Sequence, residues 1–216
     1  MNREIPLRTV ALAGQPVTRR ALAKQRTREK LLEAARRLFT ERGYEAATVR
    51  DIAAAAELST GAVFASFSDK ADLFNAVLSA DYQTLGQRMD QVSLDGLAAR
   101  EALLRLFSLA YELHLEQLGL VQAAISFSWQ RDDAAERRDR QGAAQIQAQL
   151  AGVLQRGVQS GQLSPRLDVK LATDMLWDCY LANYRRAIFD RWDATALTQR
   201  LAAQLDIILT GHSVAA

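Results

Sequence analysis

Apolar residues recur along most of the chain at intervals of three and four, the period of a helix with one buried face. The first clear stripe is Leu31, Ala34, Ala35, Leu38 and Phe39. Thr27 stands before it as an N-cap with Glu29 in the first turn. Arg42-Gly43-Tyr44 closes it, with Gly43 suited to a left-handed C′ position and Tyr44 placed to pack back on Phe39. A short second helix follows, capped by Thr48, with Val49, Ile52, Ala53 and Ala56 facing inward. Glu57-Leu58-Ser59 breaks it, and a third, very short helix carries Val63 and Phe67 at i and i+4. Asp69 caps a fourth helix reaching about residue 91, with Leu73, Phe74, Val77, Leu78 and Leu85 as its buried face. Longer helices are expected over roughly 95–117, 119–131, 134–160 (ending at Gly161), 168–190 and 194–210. No stretch alternates with period two. The pattern predicts an all-α fold of about nine helices.

Residues 1–26 fall outside this pattern. They lack helical periodicity, contain Pro6, Gly14 and Pro16, and carry Arg3, Arg8, Arg19, Arg20 and Lys24, which reads as a flexible basic arm. The expected organisation is an arm over 1–26, a small trihelical domain over 27–72 and a helical domain over 73–216.

Charge sharpens this division. Residues 1–70 hold 13 Lys/Arg against 8 Asp/Glu, net +5, while residues 71–216 hold 14 against 17, net −3. A basic front on a mildly acidic body points to a polyanionic partner at the front. The bend between the second and third helices is three residues long, the length a helix-turn-helix uses. A plain helical hairpin in a bundle shares that spacing. In a helix-turn-helix the third helix faces the major groove, and here its outward residues are Thr60, Gly61, Ala62, Phe64, Ala65 and Ser66. Thr60 and Ser66 can donate to phosphates or base edges, and Ala62 and Ala65 can touch a thymine methyl. Thr48 suits a phosphate. Arg50 is the long bidentate donor of the block and the candidate guanine reader, and Lys70 is a candidate phosphate clamp.

The residues themselves carry more than the spacing. The run Thr27-Arg28-Glu29-Lys30-Leu31-Leu32-Glu33-Ala34-Ala35, then Leu38-Phe39-Thr40-Glu41-Arg42-Gly43-Tyr44, Thr48-Val49-Arg50-Asp51-Ile52-Ala53 and Ser59 through Leu73 closely resembles the DNA-binding domain of the TetR/AcrR family. The resemblance implies phosphate contacts at Thr48 and Lys70, a base or phosphate contact at Arg50, and a recognition helix over Thr60–Ser66; Arg28, in the same matching run, joins the DNA-contacting set. It also implies six further helices forming a ligand-binding and dimerisation domain. Two departures matter. Glu57 stands where the family usually has glycine, so that turn is expected to carry backbone strain. Phe64 stands where a tyrosine usually gives its hydroxyl to a phosphate. Ala65 and Ser66 replace bulkier residues, so base readout is thin, with Arg50, the arm and DNA shape expected to carry more of the specificity.

The helix over 168–190 is apolar on nearly all sides, so it needs two buried faces. With the last helix it is expected to form a homodimer through Met175, Tyr180, Tyr184, Leu197, Leu201, Leu205 and Ile208, as members of the resembling family do; a purely intrachain core is the alternative. A two-fold dimer matches a near-palindromic double-stranded operator. An effector pocket is expected among Phe107, Tyr111, His114, Phe127, Trp129, Met175 and Cys179, for a hydrophobic or aromatic small molecule.

Catalysis has little support. His114 and His212 are the two histidines and Cys179 the one cysteine, so zinc spacing, Cys/His dyads and intrachain disulfides are absent from the sequence. No Gly-rich phosphate loop appears. No catalytic residue, metal site or cofactor is expected, no membrane association, and a cytoplasmic location. The functional expectation is a ligand-responsive DNA-binding transcription regulator, a repressor by the resembling family's habit. The alternative is a nonspecific nucleic-acid-binding protein.

Overall fold

In the computed structural model, residues 18–129 and 133–209 are described. They form nine helices and no strand: α1 Arg19–Ala46, α2 Val49–Ala55, α3 Thr60–Phe64, α4 Lys70–Asp90, α5 Ala99–Leu115, α6 Leu118–Ser128, α7 Asp133–Gln159, α8 Val169–Asp190 and α9 Ala194–Leu209. None of them is long and apolar enough to cross a membrane.

Most helices start at a side-chain cap that satisfies an amide of the first turn. Thr48, Ser59, Asp69 and Asp168 each accept from the backbone N–H three residues on. At α4 the arrangement is reciprocal, because the Asp72 carboxylate accepts from the Ser68 amide at 3.0 Å. The expected start of α1 at Thr27 is corrected. The helix begins two and a half turns earlier, capped by Thr18, whose Oγ1 accepts from the Ala21 amide at 3.2 Å. Arg19–Arg26 are therefore helical rather than part of an irregular arm; residues 1–17 lie outside the described residues. The far end of α1 also differs in detail. Gly43 has a positive φ of 77° but a ψ of 173°, an extended left-handed conformation rather than the helical one, and helical turns resume beyond the kink. Tyr44 still packs on Phe39, ring centroids 5.9 Å apart.

Two hydrophobic cores result. The first joins Leu31, Ala35 and Phe39 of α1 with Ile52, Val63, Phe67, Leu73, Phe74 and Val77, and takes in Leu120 and Ala123 of α6. The second holds Leu85 and Met89 of α4 with the inner faces of α5, α7, α8 and α9. Helix α4 thus belongs to both, its first half in the head and its second half in the body. Leu73, Phe74 and Val77, just beyond the expected 72/73 boundary, pack in the head core, and α6 divides between the two cores, with Leu120 and Ala123 in the head and Leu118, Val121 and Ile125 against the body. Gly119 explains how α6 gets so near: a Cβ there would run into the backbone carbonyl oxygen of Thr40. Only a glycine lets the two helices close at that point.

Candidate DNA interface and effector region

The α2–α3 corner is built from the backbone outward. The Leu58 amide bonds to the Ala53 carbonyl at 2.9 Å and the Glu57 amide to the Ala54 carbonyl at 3.1 Å. This is the paired closure of a Schellman motif, with Glu57 at its left-handed position. Its φ of +57° matches the strain expected of a non-glycine residue at that site. Val63 and Phe67, both nearly fully buried, pull α3 onto the head core. Thr60, Gly61, Phe64 and Ala65 are left exposed, with Ala62 and Ser66 half-buried. Phe64 is 57% exposed, unusual for an aromatic ring. Arg50, on α2 beside this face, is also exposed.

The other expected contacts serve the protein first. Thr48 uses its hydroxyl within the cap, donating to the Asp51 carboxylate at 2.8 Å while accepting from the Asp51 amide. Its hydrogen bond and the nearby Arg42 and Arg50 hold the Asp51 carboxyl below its ordinary range. The Arg28 guanidinium donates to the Ser66 carbonyl at 3.0 Å and lies 4.2 Å over the Phe67 ring, clamping the end of α3. The Lys70 ammonium donates to the Tyr44 and Glu45 carbonyls and sits 4.2 Å over the Tyr44 ring. It ties the start of α4 to the end of α1.

The residues expected to line one effector pocket fall in four places. Phe107, Tyr111 and His114 come together on α5 against Tyr180 and Tyr184 of α8, all buried. Phe127 lies in the head instead, packed on Tyr44 and Phe74 at 4.6 and 5.3 Å. Trp129, at the end of α6, is 90% exposed. Met175 is exposed on the outer side of α8, and Cys179 is half-buried there, its thiol pushed up by burial and by Asp178. Of the expected dimer residues, Met175 is exposed, and the others are wholly or partly covered by their own chain. Tyr180, Tyr184, Leu197, Leu201 and Leu205 are buried within the single chain, and Ile208 is half-buried. Because α8 is apolar on nearly all sides, its pattern did not tell the inner face from the outer. The large apolar groups left open on α8 and α9 are Leu171, Met175, Phe189 and Ile207.

Sequence reasoning missed a polar cluster between head and body. Asp81 of α4, nearly buried, accepts from Arg36 of α1 and from Gln117, both at 2.7 Å. Its second carboxylate oxygen lies 3.0 Å from His114 Nε2. His114 Nδ1 lies 2.6 Å from the Tyr180 hydroxyl and 3.2 Å from that of Tyr184. Burial alone would raise the Asp81 carboxyl; His114 and Arg36 outweigh it and hold it below its ordinary range. A cleft of about 260 Å³ opens onto this cluster, walled by Arg36, Asp81, Thr84, Leu113 and His114 among others. The signal was available: Asp81 interrupts the stripe Val77, Leu78, Leu85. An acid in an apolar stripe implies a buried partner.

Known proteins share this sequence pattern and fold. A family model described as "Bacterial regulatory proteins, tetR family" matches residues 31–77. The probable HTH-type transcriptional regulator ArpR of Pseudomonas putida is 30% identical over 177 residues, 78% of this chain and 80% of ArpR. The chain belongs to the tetR family of bacterial regulatory proteins. The HTH-type transcriptional repressor KstR2 of Rhodococcus jostii is 28% identical to this regulator over 165 residues, 72% of this chain and 76% of KstR2. Among solved structures, FadR of Bacillus subtilis in complex with stearoyl-CoA superposes with a TM-score of 0.74 at 22% identity, covering 85% of this chain and 98% of FadR. At that identity the likeness speaks for the fold. This tetR-family chain is a DNA-binding transcription regulator.

Proposed function

We propose that the chain is a repressor that binds a near-palindromic operator as a two-fold dimer and is released by a hydrophobic or aromatic small molecule. The observation that carries the reading is the exposed face of α3, held at a fixed angle by buried Val63 and Phe67 and by the Arg28 clamp. Thr60, Gly61, Phe64 and Ala65 meet the groove, and Arg50 reads a base. Arg28 and Lys70 position the elements, each with donors left over for phosphates. The dimer forms through the stripe Leu171, Met175 and Phe189 of α8 with Ile207 of α9. These are large apolar side chains that an isolated surface helix would not leave in water.

The effector enters the nest of Phe107, Tyr111, His114, Tyr180 and Tyr184. The cleft beside His114 leads to these packed rings, whose hydroxyl and imidazole groups suit an apolar molecule carrying one hydrogen-bonding oxygen that parts them. FadR's stearoyl-CoA, an acyl thioester, is of the hydrophobic kind. Names of relatives such as the repressor KstR2 support the sign of control.

The test is a gel shift with duplex from the DNA flanking the protein's own gene. One discrete, competitor-resistant complex is expected, and Arg50→Ala weakens it by about 1–3 kcal/mol while relaxing sequence preference. A smear that unrelated DNA competes away equally overturns the reading in favour of nonspecific binding.

A further inference from the structure

Helix α1 has a core-facing stripe that changes character part-way. From the C-terminal end it runs Phe39, Leu38, Ala35 and Leu31, all buried. The steps of three and four then continue to Arg28, Lys24 and Arg20. Among the described residues the same stripe is therefore apolar where other helices cover it and cationic where it is exposed. Arg28 marks the change, since it grips the last residues of the recognition helix through the Ser66 carbonyl and the Phe67 ring. Beyond it, Lys24 and Arg20 are exposed. At about 1.5 Å per residue they stand roughly 6 and 12 Å further along the axis. Residues 19–30 carry six Lys/Arg against the single acid Glu29.

We propose that the N-terminal turns of α1 are a second DNA-contacting element. They run along the sugar-phosphate backbone beside the half-site, with Arg20 and Lys24 as phosphate contacts. Three things on the molecule select duplex DNA as the occupant. The stripe is continuous with the recognition face, anchored to its end by Arg28. Its charge is complementary to a polyanion. Its roughly 12 Å reach spans several phosphates, which on one strand advance about 3.4 Å along the duplex axis. The inference rests on the DNA-binding reading above and adds to it. With few long side chains on α3, this element supplies sequence-independent affinity and a footprint wider than the groove-bound helix alone.

The test compares two double variants on a mixed-sequence duplex of about 40 base pairs, by fluorescence anisotropy between about 50 and 200 mM KCl. Arg20→Ala/Lys24→Ala removes the stripe. Arg19→Ala/Arg26→Ala removes equal charge from roughly the opposite side of the same helix. The first pair is expected to make the slope of log affinity against log salt shallower by about 1.8, and to weaken binding about tenfold per lost contact near 0.1 M salt. The second pair is expected to change the slope by less than half as much. Arg20→Gln/Lys24→Gln, which keeps helix-forming side chains, must reproduce the first result. A slope unchanged by removing Arg20 and Lys24, or lowered equally by both pairs, overturns the proposal. A wild-type protein that binds no duplex even at low salt overturns the DNA-binding reading instead, and the two failures are distinct.

Discussion

Replacing Asp81 by Asn tests the joint between head and body most directly. The substitution keeps shape and one acceptor oxygen. That oxygen can still take the Arg36 and Gln117 bonds, both of which go to Oδ1. The variant loses the negative charge between Arg36 and His114 and puts an NH₂ where Oδ2 faces Nε2. Removing one member of a fully buried pair costs about 3–5 kcal/mol. Arg36 has a side chain 32% exposed, so water offsets part of that loss. An expected cost of about 2–3 kcal/mol remains, which for a chain of this size lowers Tm by about 4–12 °C. The pH dependence follows from the depressed carboxyl. A folded-state value below the unfolded one contributes stability above about pH 4, lost as pH falls through the folded value. The gap between wild type and Asp81→Asn, measured by urea unfolding followed by circular dichroism, should therefore hold from pH 7 to about 4 and shrink below it. An absent gap at pH 7, or one that widens below pH 4, refutes the reasoning.

Three further outcomes are expected. Glu57→Gly relieves a left-handed non-glycine residue worth about 1–2 kcal/mol, against about 0.5–1 kcal/mol of added chain entropy, so a Tm up to about 6 °C higher with unchanged DNA affinity is expected in a thermal melt. Phe64→Tyr adds a hydroxyl to the exposed ring on α3; a net hydrogen bond of about 0.5–1.5 kcal/mol tightens DNA binding by about 2–10-fold in a titration. Leu171→Arg with Ile207→Arg puts charge on the open α8–α9 face and leaves the protomer core untouched, so sedimentation should show a folded monomer.

What the sequence made legible follows from how local each cause is. The corners of the head are set by short-range chemistry: Thr48, Ser59 and Asp69 cap within three residues, and Val63 and Phe67 lie one turn apart. Glu57 could be flagged from one position, because left-handed backbone is a property of a single residue. The start of α1 was missed because Arg19 to Lys30 are almost wholly exposed, and a helix that buries nothing leaves no apolar stripe to find. The buried and open faces of α8 were not separable in the sequence because the helix is apolar on nearly all sides, so only packing separates Tyr180 from Met175. The Asp81 cluster joins residues 36, 81, 114 and 117, separations that no periodicity connects.

That cluster also bears on how an effector could act under the proposed function. The contacts run from Arg36 in the head through Asp81 to His114, and from His114 to the Tyr180 and Tyr184 hydroxyls inside the body. A molecule entering the tyrosine nest has to take over the bonds that His114 now makes, since leaving a buried polar group unpaired costs about 1–3 kcal/mol. Coupling between two sites is itself about 1–3 kcal/mol, a 5–150-fold change in affinity. One rearranged histidine is therefore of the right size to weaken operator binding, provided it changes the grip of Asp81 on Arg36. Gly119 brings α6 against the Thr40 carbonyl of α1, and Arg28 ties α1 to the end of the recognition helix, so under the proposed function a shift at Asp81 and Arg36 has a packed route to the DNA-facing surface.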